Sequence, residues 1–136
     1  MKMVIDASVA LTWALPDEAN PIADRAMEKV ADFGAIAPAF FKAECANVLA
    51  VSVRRGRIGS DVRREILSLL SDLDIEYDQD ALTNCWGKTA DIAETHGLSV
   101  YDAMYLETAM RTSSPLSSLD KALRRAATEE RVEVFG

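Results

Sequence analysis

The chain has 136 residues, enough for one core, so a single domain over residues 1–136 is expected. Apolar residues at 49% and charged residues at 27% are ordinary for a globular protein, so disorder is not the default reading. A net charge of −7 argues against a simple nucleic-acid binder, which carries a basic excess, but not against an enzyme whose acids hold cations.

In chain order, Met3-Val4-Ile5 reads as a buried strand. A helix is expected over 8–15, stopped by Pro16. Asn20 and Pro21 open the next, over 21–33, as cap and first-turn proline. A short strand over 35–37 ends at Pro38, and a strong helix over 39–55 stops at Gly56. Ser60 is expected to cap a helix with Val62, Ile66, Leu69, Leu70 and Leu73 at helical spacing. Residues 75–77 read as a strand, and 80–96 as a long helix ended by Gly97. Ser99 opens a helix to 111; 116–118 is a strand, 121–128 a helix and 132–135 a last strand. This alternation predicts an α/β fold, a short parallel sheet with helices on both faces, with ligands bound at the carboxyl ends of the strands.

No apolar run is long enough to span a bilayer, and Asp6 comes too early for a signal peptide, so a cytoplasmic location is expected. Cys45 and Cys85 form no metal or redox spacing and read as buried thiols.

Four acids draw the argument toward chemistry. Asp6 follows the first strand and Asp120 the strand at 116–118, so both are expected at one edge of a parallel sheet. Each also fits a helix N-cap, and Asp102 fits a capping box with Ser99. Glu44 sits early in an apolar helix, with Phe40, Asn47 and Val48 on its face and no basic residue there. A carboxylate so placed needs a partner. Asp102 is similar, with Leu98, Tyr105, Leu106 and Ala109 nearby on its helix. Four clustered carboxylates repel unless cations intervene. An all-oxygen donor set with no His or Cys selects Mg²⁺, or Mn²⁺, over Zn²⁺, and such ions serve phosphoryl chemistry.

The same residues carry a family resemblance. The segment from Met3 to Leu11 resembles the opening strand of PIN domains, and Glu44-Cys45-Ala46-Asn47 their Glu-x-x-Asn. Leu98-Ser99-Val100-Tyr101-Asp102-Ala103-Met104-Tyr105 resembles the signature around their third acid, and Pro115-Leu116-Ser117-Ser118-Leu119-Asp120 the one that carries the fourth. The match runs over essentially the whole chain and is most similar to the VapC-like toxins of toxin–antitoxin pairs. Ser118 stands where the family usually has Thr, and no fifth acid follows among residues 121–124. The resemblance implies a PIN-like fold, a Mg²⁺-dependent endoribonuclease that cleaves RNA with a metal-activated water, a homodimer and a cognate antitoxin. In that scheme Asp6, Glu44 and Asp102 hold the principal ion, and Asp120 supports a second ion or orients the water. Ser8, Asn47 and Ser118 support the carboxylates, Asn47 by orienting Glu44; helix capping is the competing role of the two serines.

Other residues have simpler expected roles. His96, the only histidine, is expected to complement a helix end rather than serve acid–base catalysis. Trp13 and Trp86 are expected in core or dimer contacts. The arginines at 54, 55 and 57 either track phosphates or form a solvated helix end. Two other functions remain open to the sequence. A phosphatase using Asp6 as nucleophile is disfavoured, because Ser8 stands where a second Asp is needed. A non-catalytic interaction module would bind a partner through the helices at 21–33 and 60–73.

Overall fold

The computed structural model describes all 136 residues. Four strands form one parallel sheet, β1 (Met3–Ile5), β2 (Ala35–Pro38), β3 (Ile75–Asp78) and β4 (Leu116–Ser117), in the order β3-β2-β1-β4. Eight helices flank it: α1 (Ala7–Ala14), α2 (Pro21–Phe33), α3 (Phe41–Arg54), α4 (Ser60–Ser71), α5 (Asp80–Thr83), α6 (Ala90–His96), α7 (Val100–Arg111) and α8 (Lys121–Glu129). The chain steps outward from β1 to β3, then crosses back to place β4 on the far side of β1. Right-handed crossovers in opposite directions put their helices on opposite faces, and a crevice opens where the direction reverses. The expected α/β class, a short parallel sheet flanked by helices, is the one observed.

Strands with both faces covered need no polar alternation. Met3, Val4 and Ile5 are fully buried, as are Ala35, Ala37 and Leu116. Burying side chains such as these stabilises the fold by roughly 2 kcal/mol each for Val, Ile and Met. Edge strand β3 is only half-buried and accommodates Glu76. Helix α7 is the central helix; every residue from Ala103 to Ala109 is buried. Gly34 turns α2 into β2 at φ +82°, where a Cβ would meet the Asp74 carboxylate at 2.9 Å.

Three expected elements differ. The helix over 80–96 is broken into α5, a π-turn at Cys85–Thr89 and α6, because Gly87 leaves helical space (φ −114°, ψ −108°). Glycine lacks the side chain that would restrict it to the helical well. The strand expected over 132–135 is reduced to one bridge, Leu116 to Val134. The cap of α4 is Gly59, and Ser60 is its first residue. Cys45 is buried as expected, whereas Cys85, in the π-turn, is only partly covered. No helix is long and apolar enough to cross a membrane.

Candidate active site

Register builds the first half of the site. Ile5 lies opposite Ser117, so Asp6 and Ser118 leave neighbouring strands side by side at the carboxyl edge. Asp6 is 4% exposed and caps α1. Its Oδ1 accepts from Ser8 Oγ at 2.6 Å and Val9 N–H at 3.1 Å, and its Oδ2 accepts from Ser118 Oγ at 2.5 Å. The two hydroxyls accept in turn, Ser8 from Leu119 N–H (3.1 Å) and Ser118 from Asp120 N–H (3.0 Å). Each serine therefore ties the turn after β4 to the Asp6 carboxylate, and neither caps a helix. Burial pushes the Asp6 carboxyl up to about 6 despite these donors, and the charge of Glu44 adds to the rise.

Helices supply the other half. Glu44, in the first turn of α3, is half-buried, and its Oε1 accepts from Tyr105 Oη at 2.6 Å. Burial raises its carboxyl and Asp102 raises it further, while the tyrosine hydroxyl opposes both. Tyr105 is buried on α7 with its ring 5.3 Å from that of Phe40. This partner escaped the sequence reading, although Tyr105 lies one helical turn from Asp102. Asn47 is exposed and makes no hydrogen bond to Glu44; the side chain that donates to Glu44 is Tyr105 instead.

Asp102 stands in the first turn of α7, its N–H donating to Ser99 Oγ at 3.1 Å as expected of a capping box. Burial raises its carboxyl and the charge of Asp120 adds to that. Asp120 is exposed and caps α8, Oδ1 accepting from Leu123 N–H at 2.8 Å.

All four acids, with Ser8, Tyr105, Glu18 and Arg57, line one cleft of about 300 Å³. A larger cavity, about 470 Å³, includes Lys88, Pro115 and Arg131 in its lining but none of these acids. The cleft contrasts with the chain's other buried acid. Glu107, 1% exposed, is neutralised by the Arg111 fork at 2.8 and 3.1 Å. Asp6, Glu44, Asp102 and Asp120 have no such partner. The cleft's single basic residue, Arg57, is bound to Asp17 at 3.2 Å and Glu18 at 2.5 Å. Burial is the main reason that Asp6, Glu44 and Asp102 titrate high, and a neighbouring carboxylate adds a smaller rise to each. A hard divalent cation fits this all-oxygen donor set. As placed, no three of the acids stand close enough to share an ion by direct contact.

The remaining singled-out residues lie elsewhere. His96 ends α6 with its side chain 7% exposed, bridging Glu129 (3.0 Å) and Glu130 (2.6 Å) beyond the cleft. Trp13 packs partly buried against the core, whereas Trp86 is 99% exposed and outside it. Arg54 and Arg55 are exposed and do not line the cleft.

Comparison with known proteins places the chain. The PIN-domain family model matches residues 3–129. Ribonuclease VapC3 of Pyrobaculum aerophilum is 28% identical over 127 residues, covering 90% of this chain and 92% of that protein. In fold, the chain is similar to the crystal structure of PAE2754 from Pyrobaculum aerophilum, with a TM-score of 0.65 at 18% identity, covering 93% of this chain and 84% of that one. It is equally similar to FitAcB from Neisseria gonorrhoeae, with a TM-score of 0.65 at 18% identity over 98% of this chain and 96% of that one.

Proposed function

Because the chain belongs to the PIN-domain family, we propose that it is a divalent-metal-dependent endoribonuclease, the toxin of a toxin–antitoxin pair, acting as one domain. The observation that carries this reading is the cleft itself: carboxylates from the ends of β1 and β4 and from the first turns of α3 and α7 face one space, and no basic residue is paired with any of them. The similarity to Ribonuclease VapC3 supports the choice of RNA.

Asp6, Glu44 and Asp102 would hold the ion, Mg²⁺ or Mn²⁺, directly or through its waters, and Asp120 completes the cleft. When bound, the cation neutralises charge at the scissile phosphate and eases deprotonation of the attacking water. Ser8 and Ser118 keep both Asp6 oxygens fixed, so the strand-end carboxylate enters the reaction already oriented. Tyr105 does the same for Glu44. Asp120 spends Oδ1 on its helix cap, which leaves Oδ2 to accept a hydrogen bond from the attacking water. Hydrolysis breaks the P–O3′ bond, leaving a 3′-hydroxyl and a 5′-phosphate. No histidine is required, consistent with His96 bound to two glutamates elsewhere.

An antitoxin and a second copy of the chain are the proposed partners. Trp86, at 99% exposure the most exposed apolar side chain, is the proposed homodimer contact. The test is cleavage of total RNA by purified protein with Mg²⁺ or Mn²⁺, with end mapping, against EDTA and Asp6→Asn controls. Metal-dependent cleavage leaving 5′-phosphates is expected, and cleavage that persists in EDTA overturns the mechanism.

A further inference from the structure

We propose that Arg57 is the cleft's phosphate-binding residue: its Nη1 edge contacts an RNA phosphodiester, while Asp17 and Glu18 hold the guanidinium in place. The inference rests on the ribonuclease reading and adds a substrate contact to it. Five carboxylates line the cleft, and the four not paired with Arg57 make it repel a polyanion; an ion at the scissile phosphate answers only part of that repulsion. A neighbouring phosphate needs its own cationic donor, and Arg57 is the one basic residue in the lining.

The geometry leaves a binding edge free. Nε and Nη2 donate to Asp17 at 3.3 and 3.2 Å, and Nη2 also reaches Glu18 at 2.5 Å. Nη1 has no partner, so two N–H donors remain on a side chain that is 36% exposed. Guanidinium donors match phosphate oxygens in geometry and charge. The segment between α3 and α4 is anchored by Arg57 N–H donating to Ser52 O at 2.9 Å, so backbone and fork are both fixed before substrate arrives. Arg54 and Arg55 carry the same charge on the same turn but lie outside the cleft.

The experiment measures binding of a labelled single-stranded RNA by anisotropy across a salt series, with Ca²⁺ in place of Mg²⁺. It compares wild type, Arg57→Ala, Arg57→Lys and Arg54→Ala, and tests Asp17→Asn/Glu18→Gln with and without Arg57→Ala. Cleavage of the same RNA in Mg²⁺ and Mn²⁺ is followed in parallel. Losing one charge-assisted phosphate contact weakens binding about tenfold and flattens the logarithmic salt slope by about 0.7. Arg57→Lys recovers part of the affinity, and Arg54→Ala leaves it nearly unchanged. The same tenfold loss is expected in the Asp17→Asn/Glu18→Gln background, where no bared carboxylate can account for it. No loss in that background overturns the phosphate contact, whether or not the protein cleaves RNA. Arg57-dependent binding without cleavage in either metal overturns the nuclease reading alone, and wild type that neither binds nor cleaves overturns both.

Discussion

Asp6→Asn tests the buried carboxylate through stability as well as activity. Asp6 is 4% exposed, and its carboxyl titrates at about 6 in the metal-free fold against an ordinary 3.8. The folded state therefore binds its proton more tightly than the unfolded chain does. Stability from this group is present below about pH 4 and is lost as pH rises through about 6. Two pH units correspond to roughly 3 kcal/mol against the fold at pH 7.5 without metal. Unfolding entropy of about 2.1 cal/mol/K per residue converts this to a Tm change of roughly 10 °C for a chain of this length. Asparagine keeps an acceptor for Ser8 and Val9 and carries no charge. In EDTA at pH 7.5, calorimetry should find Asp6→Asn more stable than wild type by several degrees, with the gap closing near pH 4. Added Mg²⁺ should raise the wild-type Tm and leave the variant nearly unmoved, because binding to the native state alone stabilises it. RNA cleavage by the variant should be lost. A variant in EDTA no more stable than wild type at pH 7.5 refutes the reasoning that this carboxylate is buried with its charge uncompensated.

Tyr105→Phe removes the hydroxyl that orients Glu44 and should lower kcat/KM for RNA roughly tenfold, with weaker Mg²⁺ dependence, while a melt still shows a folded protein. His96 titrates above its ordinary value, chiefly because Glu130 accepts from it, so its stabilisation should fade as pH rises past the imidazole range. His96→Gln should flatten that part of the stability profile in a pH series of melts and leave cleavage intact. Trp86→Glu should convert a dimer into a monomer by light scattering, because the substitution charges the most exposed apolar side chain of the fold. A wild-type monomer would refute that assignment.

Much of the frame was legible in the sequence because its causes are local. Three apolar residues followed by Asp6, and the strand expected over 116–118 followed by Asp120, mark strand ends whatever packs around them, although β4 stops one residue earlier, at Ser117. Asn20-Pro21, Ser99 and Gly97 fix helix boundaries through their own backbone preferences, and the structure has each where expected. The misplaced elements have local causes that the pattern concealed: Gly87 breaks an otherwise helical stretch, and 132–135 finds only one strand residue to pair with. The apolar surroundings of Glu44 signalled that its charge needed a partner but not which one. That choice depends on which residues α7 brings against α3, and packing selects Tyr105 over the sequence neighbour Asn47. The exposure of Trp86 and the entry of Arg57 into the cleft likewise depend on how loops are held by distant residues. The sequence by itself determined the acids, the strand ends and the helical faces that carry them, because periodicity and capping act over a few residues. Only the tertiary structure decided that the four acids share one cleft and which donors hold them, because those pairings form between segments far apart in the chain.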